Sequence, residues 1–296
     1  LSHWNRDEAQ FFNIFDLPWR AENDLAMFHG LDSRLVTKDP SSSSRTYMVH
    51  VPGGWSHTEQ AEDGSLEIFV YEGDMTGNGT RVGAGGYLAV PRGGGTLEMS
   101  SANGAHLLVF WNENVRAEDY YDGQPFVSSV WRESWVSTEM PELNHGIMHK
   151  SLRWPDPSGG DRHGGPAGMI RFILMTPGFG ETRQEAHHET WEEVIFLHGD
   201  LLIPQRGVHG AGTLLNNPPD LLHGGLITQK GGILLLHCDH PMDVEFTCLT
   251  HGQQIADDYR DMESWLPGGG HKEWKDHELY PLCPNSDPGY NRRESA

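Results

Sequence analysis

The run Gly180-Glu181-Thr182-Arg183-Gln184-Glu185-Ala186-His187-His188-Glu189-Thr190-Trp191-Glu192-Glu193-Val194-Ile195-Phe196-Leu197-His198-Gly199-Asp200, followed by Pro218-Pro219-Asp220-Leu221-Leu222-His223-Gly224, sets imidazoles and carboxylates ahead of an apolar β-type segment and a Gly-Asp turn. A small β-barrel that brings ligands from several strands to one metal ion needs them in this order. Geometry adds a condition. On one straight strand His188 and Glu192 would stand roughly 13 Å apart at ~3.3 Å per residue, too far to share an ion with bonds near ~2.1 Å. The chain must turn between them, so that two antiparallel neighbours aim both side chains at one interior point and His223 arrives from another strand. Imidazole with carboxylate suits divalent iron, manganese, nickel, zinc or copper, and two histidines with one carboxylate is an arrangement of non-heme iron.

Outward from this stretch, short apolar runs closed by Gly-rich turns occupy residues 46–51, 66–71, 86–91 and 105–111. Strands at that spacing predict an all-β sandwich or barrel. The order then recurs: residues 169–178 answer 45–53, Phe-Leu-His-Gly-Asp at 196–200 answers Val-Tyr-Glu-Gly-Asp at 70–74, and 232–237 answer 105–110. An offset of about 126 residues persists, which predicts two copies of one β-domain. We divide the chain into 1–150 and 151–296, joined across the Pro- and Gly-rich stretch 154–166. Residues 5–30, with Phe11, Phe12, Phe15 and Trp19, are expected to form an arm on a neighbouring sheet with one helical turn. A helix is expected over 253–265, and the Pro-rich tail from Leu266 is expected to wrap the surface.

The two quoted segments resemble the paired motifs of the cupin superfamily, G-x5-H-x-H-x3,4-E-x6-G and G-x5-P-x-G-x2-H-x3-N. Gly180, His188, Glu192 and Gly199 fall on the first pattern with the three-residue spacer, and His223 falls on the histidine of the second. In that register Ala186 stands where the first histidine belongs. With the four-residue spacer His187 becomes the second histidine and Glu185 takes the first position, and both registers stay open. Pro219-Asp220-Leu221-Leu222-His223 replaces P-x-G-x2-H, and the asparagine is lacking. The resemblance covers both copies but not the tail, and it implies two cupin-type barrels in tandem with a metal site in the second. The candidate ligands are His187, His188, Glu192 and His223, with Glu185 as the alternative. Glu192 and His237 are the candidate acid-base groups, and Glu193, with which Glu67 of the first copy aligns, either faces solvent beside Glu192 or is an alternative to it as ligand. The likeness is nearest to acetylacetone- and hydroxyacetophenone-cleaving dioxygenases and to metal-binding anti-sigma-factor cupins. It implies iron(II) that binds a small oxygen-bearing organic substrate and, with O2, cleaves a carbon-carbon bond. The alternative is zinc, manganese or nickel as Lewis acid in hydrolysis, isomerisation or β-elimination. A non-catalytic sensor or storage-type binder is the third reading.

The first copy offers Gly95 opposite His223, and His57 and Glu59 opposite the His187/His188 pair, while Glu67 persists. One histidine and two carboxylates make a poor transition-metal cage, so the first barrel is expected to be metal-free. Among 296 residues, 21 basic against 42 acidic leave a formal charge of -21, which repels nucleic acid and anionic membranes. No run reaches the ~20 apolar residues of a membrane span, and the start is too polar for a signal peptide. Cys238, Cys248 and Cys283 have no metal-type spacing and leave an odd count, so free thiols in a reducing, cytoplasmic setting are expected. A small molecule is the expected partner. A homodimer joined through sheet edges is expected as well.

Overall fold

The computed structural model describes residues 9–21, 23–113, 123–138, 143, 146–153, 168–203, 207–240, 242 and 244–247. The stretch 154–166, the expected helix at 253–265, the tail, Cys248 and Cys283 lie outside the described residues. In the first half the strands are β1 (Gln10–Asn13), β2 (Ser33–Lys38), β3 (Arg45–Pro52), β4 (Trp55–Glu59), β5 (Ser65–Gly77), β6 (Thr80–Gly83), β7 (Gly86–Val90), β8 (Leu97–Ser101), β9 (Gly104–Asn112), β10 (Phe126–Ser129), β11 (Val136–Ser137) and β12 (Ile147–Ser151). In the second they are β13 (Met169–Met175), β14 (Gly180–His187), β15 (Glu192–Gly199), β16 (Leu201–Ile203), β17 (Gly207–His209), β18 (Thr213–Asn217), β19 (His223–Ile227), β20 (Gly232–Cys238) and β21 (Val244–Thr247). Among the described residues the helical elements are two short 3-10 turns, Ile14–Asp16 and Ala26–Phe28. None is long and apolar enough to cross a membrane.

The first barrel is built on the order β10-β7-β5-β9-β3-β2, with β4, β6 and β8 pairing off this path. The second sets β1-β18-β15-β20-β13-β12-β11 against β17-β16-β19-β14-β21. Each barrel encloses its own apolar core, and a third apolar layer lies between the barrels. Strand alternation divides the residues. On β15, Val194 and Phe196 join the second core whereas Ile195 and Leu197 join the layer between barrels; on β20, Leu234 and Leu236 face in and Leu235 faces out. With both faces buried, residues 233–236 read as one continuous apolar run.

The repeated Gly-Asp turn has a steric cause. Gly73 and Gly199 sit at φ +86° and +98°, and a Cβ there would lie 2.2 Å from the Gly104 carbonyl oxygen and 2.1 Å from that of Gly231. Only glycine fits either place. After the second turn the Asp200 carboxylate accepts from Thr228 Oγ1 at 2.7 Å and from the backbone N–H groups of Gln229 and Lys230 at 3.1 and 2.8 Å.

The aromatic arm does dock on a neighbouring sheet, and that sheet belongs to the other barrel: Phe11 pairs with Leu215 and Phe12 with Leu214. A division at 150/151 cuts through β12, which pairs with β13, and β11 also belongs to the second barrel's sheet. Strand exchange of this kind is non-local, and a Pro/Gly stretch in sequence gives no sign of it.

Charge is buried where the barrels meet. Arg153 and Glu67 are almost fully enclosed and form a two-point ion pair, Nε to Oε1 and Nη2 to Oε2 at 2.8 Å each. Arg153 Nη1 also donates to the Cys238 carbonyl at 3.1 Å, so the pair ties the first barrel to the second. Asn112 Nδ2 at 2.8 Å and the Tyr87 hydroxyl complete the donors to Glu67. Burial alone would raise the Glu67 pKa; the Arg153 guanidinium outweighs it and holds the carboxyl below its usual range. Removing one partner of such a pair strands the other charge. Arg153→Met should lower the unfolding free energy by about 3–5 kcal/mol in urea titrations, and adding Glu67→Gln should recover most of it. A loss under about 1 kcal/mol would mean the pair behaves like an exposed one.

Candidate metal centre

Glu185 and His187 lie two residues apart on β14 and so share a face. His223, the first residue of β19, pairs directly with Glu185, and Glu192 opens β15. The required turn falls at 188–191 and is pinned there: the Trp191 N–H donates to Asp239 at 2.9 Å and its indole N–H to Asn216 at 2.6 Å. The Asp220 N–H donates to the His187 carbonyl at 2.7 Å, fastening the two motif segments together.

One ligand atom from each of Glu185, His187 and His223 lies within 4.8 Å of the others. His223 Nε2 is 3.2 Å from Glu192 Oε2 and 3.6 Å from Glu185 Oε1, and His187 Nε2 is 4.0 Å from Glu192 Oε1. Partners outside the cluster hold these groups. His223 Nδ1 is 2.8 Å from the Leu221 carbonyl, which can only accept, so Nδ1 carries a proton and Nε2 faces the cluster. Asn217 Nδ2, across the ladder, donates to Glu192 Oε2 at 2.7 Å. The His223–Glu192 contact is short, yet His223 Nε2 has no aligned hydrogen bond. Two imidazoles and two carboxylates converging in this way fit a first-row divalent ion, so the donor set passes the chemical test for one.

Burial, then the neighbouring Glu192 carboxylate, pushes Glu185 up to about 7. Burial would lower His223, but Glu192 and then Glu185 raise it to about 9. Burial would raise Glu192, but His223, His187 and Asn217 bring it down to about 2. At neutral pH the His223–Glu192 pair is therefore charged, and an incoming ion must displace the His223 proton. Glu185, Glu192 and His223 line a cavity of about 100 Å³ whose walls also include Val194, Leu201, Leu234 and Leu236.

No protein-family model matches this chain, and no curated protein matches it. Solved structures do. A Nostoc punctiforme protein provisionally assigned as a dioxygenase superposes with TM-score 0.66 at 17% identity, over 84% of this chain and 89% of its own. A serine-to-alanine mutant of Bacillus subtilis oxalate decarboxylase gives 0.52 at 13% identity, over 88% and 84%. A cupin 2 conserved barrel domain protein from Leptotrichia buccalis gives 0.50 at 12% identity, over 80% and 98%. This is a two-barrel cupin fold. Identities this low speak to the fold alone.

Within the second cupin barrel the four-residue-spacer register matches the geometry, and several expectations need correction. His188 is half exposed at the rim, with Nδ1 3.0 Å from Asp220 and Nε2 2.9 Å from Glu245. As the residue after His187 it points away from the cluster; aligning the motif on Gly180 had selected the wrong parity. His237 faces the layer between barrels, Nδ1 3.1 Å from Glu193 Oε2 and its ring 4.7 Å from that of Phe110, so it has no place in the chamber. Glu193 is fully buried rather than solvent-facing. The register also replaces Gly95 as the counterpart of His223: Glu59 pairs with Leu97 as Glu185 pairs with His223. Leu66 and Ala61, both buried, fall where the repeat places Glu192 and His187, and His57 bonds Glu59 at 3.1 Å. Asn217 escaped the sequence reading, since no motif position points to it.

Replacing His187 or His223 with alanine should lower bound metal by about tenfold or more in elemental analysis. His188→Ala should leave it unchanged. Metal kept by His187→Ala but lost from His188→Ala would reverse the register.

Proposed function

We propose that the protein is a metal-dependent enzyme acting on a small oxygen-bearing organic molecule inside the second barrel. The observation that carries this is the convergence of Glu185, His187 and His223, with Glu192 3.2 Å from His223, beside a cavity whose walls are mostly apolar. His187, His223 and Glu192, with Glu185 as fourth donor, would hold the ion. An iron(II) ion there would supply O2-dependent oxidation, and the finer proposal is a dioxygenase that cleaves a carbon-carbon bond. The residues contribute the rest. Leu221 and Asn217 keep His223 and Glu192 aimed at the cluster, and the apolar walls exclude water, which strengthens every charge interaction inside.

A second reading rests on Glu185. Where His187, His223 and Glu192 alone hold the ion, the Glu185 carboxylate, 3.6 Å from His223 Nε2, stands beside it as a group that can take and return a proton. With zinc, manganese or nickel as Lewis acid, Glu185 would serve as general base in hydrolysis, isomerisation or β-elimination. We also propose a homodimer joined through sheet edges; β10 and β2 end the order of the first barrel's sheet.

Anaerobically purified protein should contain about one iron per chain and consume O2 only with substrate, over a panel of diketones and hydroxylated aryl ketones. Zinc without O2 uptake would move the assignment to the second reading, and a chain that takes up no metal under any loading would sink both. Solution mass of the same preparation tests the dimer.

A further inference from the structure

His149 on β12 lines the same cavity as Glu185, Glu192 and His223 but stands apart from them. Alternation along β12 turns His149 and Ile147 into the cavity, while Lys150 reaches the other way, its Nζ 4.4 Å from the centre of the Trp135 ring and donating to the Val130 carbonyl. Sheet order separates the ring from the cluster, because β12 lies beyond β20 and β13 from β15. In register His149 pairs with Ile173, Ile173 with Leu234, and Leu234 with Phe196, four residues on from Glu192. At ~4.8 Å per strand and ~3.3 Å per residue, His149 and Glu192 occupy separate parts of the wall. Ile173, Leu234 and Leu236, on the strands between them, are apolar and line the cavity as well.

His149 is 2% exposed, and its Nε2 is buried without a hydrogen-bond partner among the described residues. Burial, then the Arg171 charge, pushes its pKa down to about 3, so the ring is neutral at physiological pH. An orphaned buried nitrogen costs stability, and a leucine would serve such walls better. Its presence points to a partner that arrives with a ligand. A neutral imidazole offers one N–H and one lone pair. It carries no charge to offset a buried anion, so the partner it fits is an uncharged hydroxyl or carbonyl.

We propose that His149 holds the far end of the substrate through a hydrogen bond between Nε2 and an uncharged hydroxyl or carbonyl, while a separate oxygen function of the same molecule faces the cluster of Glu185, His187, Glu192 and His223. The substrate class is then a small molecule with oxygen groups at both ends and an apolar middle that lies against Ile173, Leu234 and Leu236. His149 selects and orients it. The assignment rests on this cavity being the substrate chamber proposed above, and it adds the polarity required at the substrate's second end.

Cyclopentanol, with cyclopentane as a molecule of similar shape that lacks the oxygen, tests the proposal on the full chain at measured metal content, loaded with zinc to keep it diamagnetic. In nitrogen-15 spectra of histidine-labelled protein, the His149 ring signals are those absent from His149→Phe. Cyclopentanol should move the Nε2 signal and cyclopentane should leave it in place. In calorimetric titrations the ratio of cyclopentanol to cyclopentane affinity should fall about tenfold in His149→Phe, whereas His149→Gln, which keeps a hydrogen-bonding side chain, should retain most of it. An unmoved Nε2 signal at saturating cyclopentanol, a signal that moves with acetate and not with cyclopentanol, or an undiminished ratio in folded His149→Phe would overturn the proposal. Should the phenylalanine variant fail to fold, His149→Gln supplies the assignment, and an unmoved signal overturns the proposal equally. A chain that takes up no metal refutes the metal-enzyme reading, while the His149 signal and the affinity ratio still decide this one.

Discussion

Two consecutive carboxylates, Glu192 and Glu193, leave β15 on opposite faces, and each must be compensated where it is buried. A carboxylate taken out of water destabilises the fold unless hydrogen bonds or opposite charge meet it. Glu193 is met by hydroxyls from the first half, Thr37 at 2.8 Å and Thr46 at 2.7 Å, and by His237. Glu192 is met by Asn217 and the inward histidines. One strand thus carries the inter-barrel tie on one face and the candidate metal site on the other. A slip of one residue would exchange the two.

The contact between barrels follows the repeat. Glu67 in the first copy corresponds to Glu193 in the second, and both carboxylates are fully buried. Arg153 meets the one, while threonines and a histidine meet the other. Phe69 and Phe172 stack across the layer at 6.3 Å, and Phe110 meets His237 edge-on. The copies diverge inside the barrels. Leu66, Leu97 and Ala61 pack an apolar core where the second barrel gathers acids and imidazoles around a cavity.

Much of the architecture was legible because it depends on local pattern. Gly73 and Gly199 recur since no other residue fits those turns, and the strand runs between them fix the repeat. Glu192, His187 and His223 were legible as ligand candidates through their spacing. The choice between His187 and His188 was not, because it depends on where β14 ends and β15 begins, which the Trp191 contacts with Asp239 and Asn216 help to set. His237 and Glu193 could not be placed either. On a strand buried on both faces, hydrophobicity carries no parity signal, and only the presence of a second barrel distinguishes the two sides. The ownership of β1, β11 and β12 was hidden for the same reason, since those strands are assigned by partners distant in sequence.

Comparing Glu192→Gln with Glu193→Gln tests the division of faces most directly. Metal content and urea stability, measured side by side on both variants, should separate. Glu192→Gln should lose most bound metal, whereas Glu193→Gln should keep the metal and unfold at markedly lower urea. Metal lost from Glu193→Gln while Glu192→Gln retains it would contradict the account.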